Sequence, residues 1–65
     1  MHPVIRLVQR RLTEAGFRVP ESGRYDAATE DALQRFQRFV GLDPTGVLDD
    51  TTARRLWRMT RRTSQ

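Results

Sequence analysis

An eleven-residue pattern in this chain occurs twice at a fixed distance, and that recurrence limits the fold more than any other feature. Gly23-x-Tyr25-Asp26-x-x-Thr29-x-x-x-Leu33 is followed 23 residues on by Gly46-x-Leu48-Asp49-x-x-Thr52-x-x-x-Leu56, with five positions agreeing in type. A match at one constant offset marks a small structural unit used twice. Its physical content is a turn that leads into a helix. Glycine adopts backbone angles that other residues resist. The apolar residue two places on, Tyr25 or Leu48, sits just before Asp, where a hydrophobic staple anchors an incoming chain. Asp26 and Asp49 suit the N-cap, because a carboxylate there accepts from the free N–H groups of the first turn and faces the positive helix end. Thr29 and Thr52 fall at the third helical position, within reach of that Asp. Leu33 and Leu56 come one turn later and point inward.

A third helix precedes the first unit. Pro3 suits a first helical turn, where its missing N–H costs nothing. The helix is expected over about residues 3–15, with Ile5, Val8, Leu12 and Ala15 as its buried stripe and Leu7 well off that stripe. Gly16 ends it as a left-handed cap, and Phe17 folds back over it. A connector over 18–25 follows, anchored by Val19 and Tyr25; a short extended piece fits, but Pro20 argues against a long strand. The second helix is expected over about 27–40, with Thr29, Ala32, Leu33, Phe36 and Val40 on one side. Phe39 borders that stripe beside Arg35, and Gln37 lies on the opposite edge. Gly41-Leu42 repeats the Gly16-Phe17 ending, Asp43-Pro44-Thr45-Gly46 turns the chain, and Val47 and Leu48 pack back. The third helix is expected over about 50–59, with Leu56 and Met59 in the core and Trp57 on the flank. The tail from residue 60 is polar, basic and expected to fray, as is the terminus that carries His2.

The fold class is therefore all-α: a small orthogonal three-helix bundle with two similar Gly-x-apolar-Asp connectors, one domain over residues 1–65. Its expected core is Ile5, Val8, Leu12, Phe17, Leu33, Phe36, Val40, Leu42, Leu48 and Leu56. At 65 residues the chain is near the lower limit for folding without a staple, and it has no cysteine. Stability has to come from helix packing. No apolar run approaches a membrane span, and Met1-His2-Pro3 leads straight into a helix with no signal peptide in view. An export signal would then lie upstream in a longer protein, or the protein is intracellular or leaves by another route. All twelve basic residues are Arg, and the net charge is +4. Acidic partners are favoured: nucleic acid, an anionic polymer or carboxylate-bearing ligands.

The combined pattern is Ile5-x-x-Val8-Gln9-x-x-Leu12, Gly16-Phe17, Gly23-x-Tyr25-Asp26-x-x-Thr29-x-x-Ala32-Leu33-x-x-Phe36-Gln37, Gly41-Leu42 and Gly46-x-Leu48-x-x-x-Thr52-x-x-x-Leu56. Over residues 4–57 it resembles the peptidoglycan-binding domain found on many bacterial and phage wall hydrolases. The resemblance implies a three-helix fold and a non-catalytic module that holds an attached enzyme on the wall, outside the cytoplasm. It implies peptidoglycan, both glycan and stem peptide, as partner, a covalently attached catalytic domain, a monomer and no cofactor. A similar fold occurs in the propeptide of matrix metalloproteases, but without a cysteine this chain cannot act as their cysteine switch. Phe39 departs from the family pattern, where a small or polar residue is expected.

Peptidoglycan offers sugar faces, amides and stem-peptide carboxylates. A binder needs aromatic surface for the first and guanidinium or amide groups for the others, since Arg grips a carboxylate with two parallel hydrogen bonds. The candidate contacts are the aromatics Tyr25, Phe39 and Trp57, the arginines Arg24, Arg35 and Arg38, and the amides of Gln9 and Gln37. Each also has a structural reading: Tyr25 as an anchor under its turn, Trp57 as a packing ring at the bundle edge, Gln37 as a hydrogen-bond partner of a connector backbone. Asp26, Thr29, Asp49 and Thr52 are read as helix caps. No Ser-His, Cys-His, HExxH or metal spacing points to catalysis. Nucleic acid is the rival partner. Against it, eight residues (41–48) separate the second and third helices, too many for a helix-turn-helix, and the arginines spread over all helices. Protein docking through a patch of Leu7, Phe39 and Trp57 is the third reading.

Overall fold

The computed structural model describes residues 3–61. Three helices form, α1 (Pro3–Glu14), α2 (Ala27–Phe39) and α3 (Asp50–Thr60), with no strand among the described residues. α1 packs directly against both α2 and α3. The fraying expected at His2 and over 62–65 lies outside the described residues.

Each helix begins and ends where its local chemistry dictates. Asp26 and Asp49 have extended backbone and are the N-caps of α2 and α3. Their Oδ1 atoms accept from Thr29 N at 3.1 Å and Thr52 N at 2.8 Å. At the other end, Phe17 N donates to Leu12 O and Leu42 N to Gln37 O, both at 2.8 Å. Gly16 and Gly41 stand between at φ 101° and 82°. These are the six-to-one bonds of a Schellman ending, which use carbonyls the helix would otherwise leave unpaired.

The core is Val8 and Leu12 of α1, Ala32, Leu33 and Phe36 of α2, Leu56 of α3, and Val19 from the first connector. Ala15, Phe17, Val40, Leu48 and Trp57 pack against it from its margin. Some expected positions differ. Ile5 and Leu42 are only half-buried. Met59 is 37% and Val47 55% exposed, so neither belongs to the core. Thr60, expected in a frayed tail, is instead the buried last residue of α3. Its hydroxyl donates to Leu56 O, and Arg11 Nη1 donates to Thr60 O and Oγ1, both at 3.1 Å. A cation from α1 thus satisfies the C-terminal carbonyl end of α3, where positive charge is favoured. No sequence neighbour of Thr60 announces that partner, which lies 49 residues away.

Candidate functional site

The two expected amide contacts turn out to be interior. Gln9 and Gln37 are 0% and 1% exposed. The Gln9 Oε1 atom accepts from Gly23 N at 2.9 Å, while its Nε2 donates to Arg24 O at 2.9 Å, Thr29 Oγ1 at 2.8 Å and Ser22 Oγ at 3.3 Å. Gln37 does the same to the second connector. Its Oε1 accepts from Gly46 N at 2.9 Å, and its Nε2 donates to Val47 O and Thr52 Oγ1 at 3.0 Å and to Thr45 Oγ1 at 3.3 Å. Each glutamine fastens the glycine turn and the third helical residue of the unit that follows it. Both amides are fully used, so neither reaches a ligand. Buried polar groups in protein are almost always satisfied in this way, and no buried side-chain nitrogen or oxygen among the described residues lacks a partner.

Tyr25 is 44% exposed, and its hydroxyl donates to Gly46 O. It therefore bridges the two connectors rather than lying under its own turn. Partial burial raises its pKa, the nearby Glu30 charge adds to that, and a backbone contact at Leu48 opposes it. Arg24 is exposed on the same connector, with its carbonyl accepting from Gln9 Nε2. The Asp26 carboxyl lies below the usual range because the Thr29 N–H and then the Thr29 hydroxyl donate to it. Asp49 is lowered likewise, by the Thr52 hydroxyl first and its N–H second.

The surface that brings candidate contacts together lies at the end of α1 and along α2. Phe17 meets buried Phe36 edge-on at 5.8 Å between centroids, and exposed Phe39 edge-on at 5.7 Å. Phe39 is 68% exposed. Beside this pair, Gly16, Phe17, Arg18, Asp31, Ala32 and Arg35 line a hollow of about 270 Å³. Arg35 Nε pairs with Asp31 Oδ2 at 3.1 Å, with both side chains largely in water. An exposed pair of this kind is worth ~0–1 kcal/mol, and pairing through Nε leaves the two terminal nitrogens for a carboxylate. Arg38 is exposed one helical turn beyond Arg35. The surface thus offers an aromatic edge, two or three guanidiniums and one carboxylate. Sequence reasoning missed Phe17 and Arg18 as surface groups. The signal was the Gly16-Phe17 ending itself, which lays the second residue over the helix end and sends the third outward.

Trp57 stands apart from this surface. It is half-buried, with the Arg11 guanidinium 5.4 Å from its ring centroid, and lines a separate hollow with Arg54, Arg58 and Arg61. Phe39 is held by Phe17 and Trp57 by Arg11, so no described contact joins these two aromatics and half-buried Leu7 into the single patch that a docking surface was expected to use. A third hollow, near the first connector, is lined by Thr13, Arg18, Val19, Pro20 and Glu21.

No helix among the described residues is long and apolar enough to cross a membrane. No curated protein and no solved structure matches the chain significantly. The peptidoglycan-binding domain family model matches residues 1–56, a span that takes in α1, α2, both connectors with their glutamine fastenings, and α3 as far as the core residue Leu56. With the match covering most of its length, the chain belongs to the peptidoglycan-binding domain family.

Proposed function

We propose that this chain is a non-catalytic module that binds peptidoglycan and holds an attached wall hydrolase or similar enzyme at its substrate, outside the cytoplasm. The observation that carries the reading is the family match over residues 1–56, which spans the complete two-unit framework. The contact surface we assign is the Phe17–Phe39 edge with the neighbouring Arg18, Asp31 and Arg35. Its aromatic rings suit sugar faces and lactyl or alkyl groups. Arg35, Arg18 and Arg38 suit stem-peptide carboxylates, which take a guanidinium by two parallel bonds. Asp31 suits an amide N–H or an amino group of the peptide. Tyr25 and Arg24 occupy the opposite end of the first connector and serve as a secondary contact at most.

The test is retention on purified insoluble peptidoglycan stripped of attached polymers, at low and near-physiological salt. Retention at both salts is expected, with Arg35→Gln weakening it by about tenfold, since a charge-assisted hydrogen bond is worth ~1.5–3 kcal/mol, and with Phe39→Ser weakening it through loss of the aromatic face. Retention only at low salt would mean general attraction by the arginines and would overturn the reading. The exposure of Phe39 favours one alternative, docking of a partner protein on the same aromatic edge. Absence of retention at both salts would leave that reading in its place.

A further inference from the structure

We propose that the contact surface continues past Arg18 into the hollow at the first connector, and that Arg18 takes a carboxylate in mid-chain of the stem peptide. This deepens the peptidoglycan reading and rests on it. Arg18 lines both hollows, the one it shares with Asp31 and Arg35 and the one it shares with Thr13, Pro20 and Glu21. It therefore stands on the rim between them. The other charged groups beside it are already paired, Arg35 with Asp31 at 3.1 Å and Glu21 with Arg10 at 3.6 Å. Arg18 has no ion pair and no side-chain hydrogen bond among the described residues. The two hollows thus frame one guanidinium whose donors are open to a ligand.

The backbone under Arg18 is fixed on both sides. Before it, Phe17 N donates to Leu12 O and the Phe17 ring packs edge-on against Phe36. After it, Val19 is buried, with its N–H and its carbonyl on the Thr13 hydroxyl at 3.4 and 3.3 Å, and the Pro20 ring restricts the chain beyond. An exposed side chain on so fixed a mount binds at a lower ordering cost. The ligand follows from charge. Each hollow contains one carboxylate, Asp31 or Glu21, so a ligand carboxylate is disfavoured in either. It is drawn to the rim, where Arg18 takes it by two parallel bonds. A chain end held there would fill one hollow only, whereas a carboxylate that branches from mid-chain lets the chain run into both. The stem peptide has such a group: its γ-linked glutamyl residue leaves the α-carboxylate free while the chain continues on either side. The amino group of the diamino acid that follows suits Asp31 or Glu21. Where the glutamyl carboxylate is amidated that charge is gone, so the module distinguishes free wall from amidated wall.

The probes are N-acetyl-alanyl-γ-D-glutamyl-lysinamide with its glutamyl carboxylate free, and the same peptide with that carboxylate amidated. Each is titrated into the full 65-residue chain at near-physiological salt while backbone amide NMR shifts are followed. The free form is expected to bind about tenfold tighter or more, the worth of one charge-assisted hydrogen bond. Shifts are expected at Ala32 on one side of Arg18 and at Val19 and Glu21 on the other. Arg18→Gln should abolish the difference between the peptides, while Arg58→Gln, which removes the same charge on α3, should leave it. Both residues are exposed, and circular dichroism verifies that the variants keep the fold. Equal affinities, absence of binding, a preference that survives Arg18→Gln or is lost in Arg58→Gln, or shifts confined to one hollow would each overturn the proposal. Retention on stripped peptidoglycan is measured beside it. Retention without a preference between the peptides sinks only the Arg18 assignment, whereas loss of retention sinks the wall-binding reading itself.

Discussion

Replacing Gln37 by Leu tests the central structural claim, that one buried amide fastens the second connector. Leu keeps the volume and removes the polar atoms. The Gly46 N–H loses its acceptor at 2.9 Å in a buried position, and Val47 O and Thr52 Oγ1 lose donors at 3.0 Å. A stranded buried group costs ~1–3 kcal/mol. With some apolar gain from Leu in return, the net loss comes to about 2–4 kcal/mol. A 65-residue domain at ~0.05–0.15 kcal/mol per residue has only about 3–10 kcal/mol in total. With a urea slope of about 1 kcal/mol/M for so small a chain, the midpoint should fall by about 2–4 M. Urea unfolding is followed by Trp57 fluorescence and by far-ultraviolet circular dichroism, whose transitions must coincide for two-state treatment. Gln37→Glu sharpens the test. It keeps an acceptor for Gly46 N but turns the donor toward Val47 O into a buried negative charge, which protonation relieves. That variant should gain stability on acidification from pH 7 to about 5. A midpoint shift under about 0.5 M for Gln37→Leu, or a Gln37→Glu variant indifferent to pH, would refute the reasoning.

Two further outcomes follow from the connectors. Gly46→Ala should destabilise more than Gly41→Ala: both glycines have positive φ, which costs an L-residue ~1–2 kcal/mol, but only at Gly46 would the new Cβ fall 2.6 Å from Glu30 Cγ. Equal thermal midpoints for the two variants would contradict this. The Asp26 and Asp49 carboxyls lie below their ordinary 3.8. A lowered folded-state value gives stability that is present above the unfolded pKa and lost as pH falls through the folded one. The melting temperature should therefore drop as pH falls below about 4, and the paired Asp26→Ala, Asp49→Ala variant should flatten that acid limb. An unchanged acid limb in the variant would assign the loss to other groups.

The architecture was legible because its signals are local. Gly16-Phe17, Gly41-Leu42, Asp26 with Thr29 and Asp49 with Thr52 each declare a helix end within a few residues, and the structure places each as expected. The equivalence of Gln9 and Gln37 was not legible, for a specific reason. The repeat runs at an offset of 23, which sets Gln9 against Ala32. The connectors differ in length, with seven residues from Gly16 to Gly23 and five from Gly41 to Gly46. Gln9 correspondingly lies seven residues before its helix-ending glycine and Gln37 four. The three-residue difference is close to one helical turn, about 4.5 Å of rise. Gln37 carries a connector-bond reading beside its ligand contact, whereas Gln9 is read as a ligand contact alone. The contacts Arg11–Thr60 and Tyr25–Gly46 join residues 49 and 21 positions apart, which periodicity does not reveal. The surface groups Phe17 and Phe39 had visible spacing, but their meeting depends on how the α1 ending lies across α2.

Each fastening holds the glycine end of its connector and leaves the preceding stretch, 18–22 or 43–45, untouched by the amide except at its last residue. That stretch is where this framework tolerates changes of length. Two residues added to the second connector ahead of Gly46 would give it the length of the first, whose fastening glutamine lies seven residues before the helix-ending glycine; the matching position in α2 is 34, which is already a glutamine. The same rule governs grafting: a two-residue insert between Pro44 and Thr45 is fastened from Gln34 in place of Gln37, while the cap aspartate, threonine and core leucine downstream stay as they are.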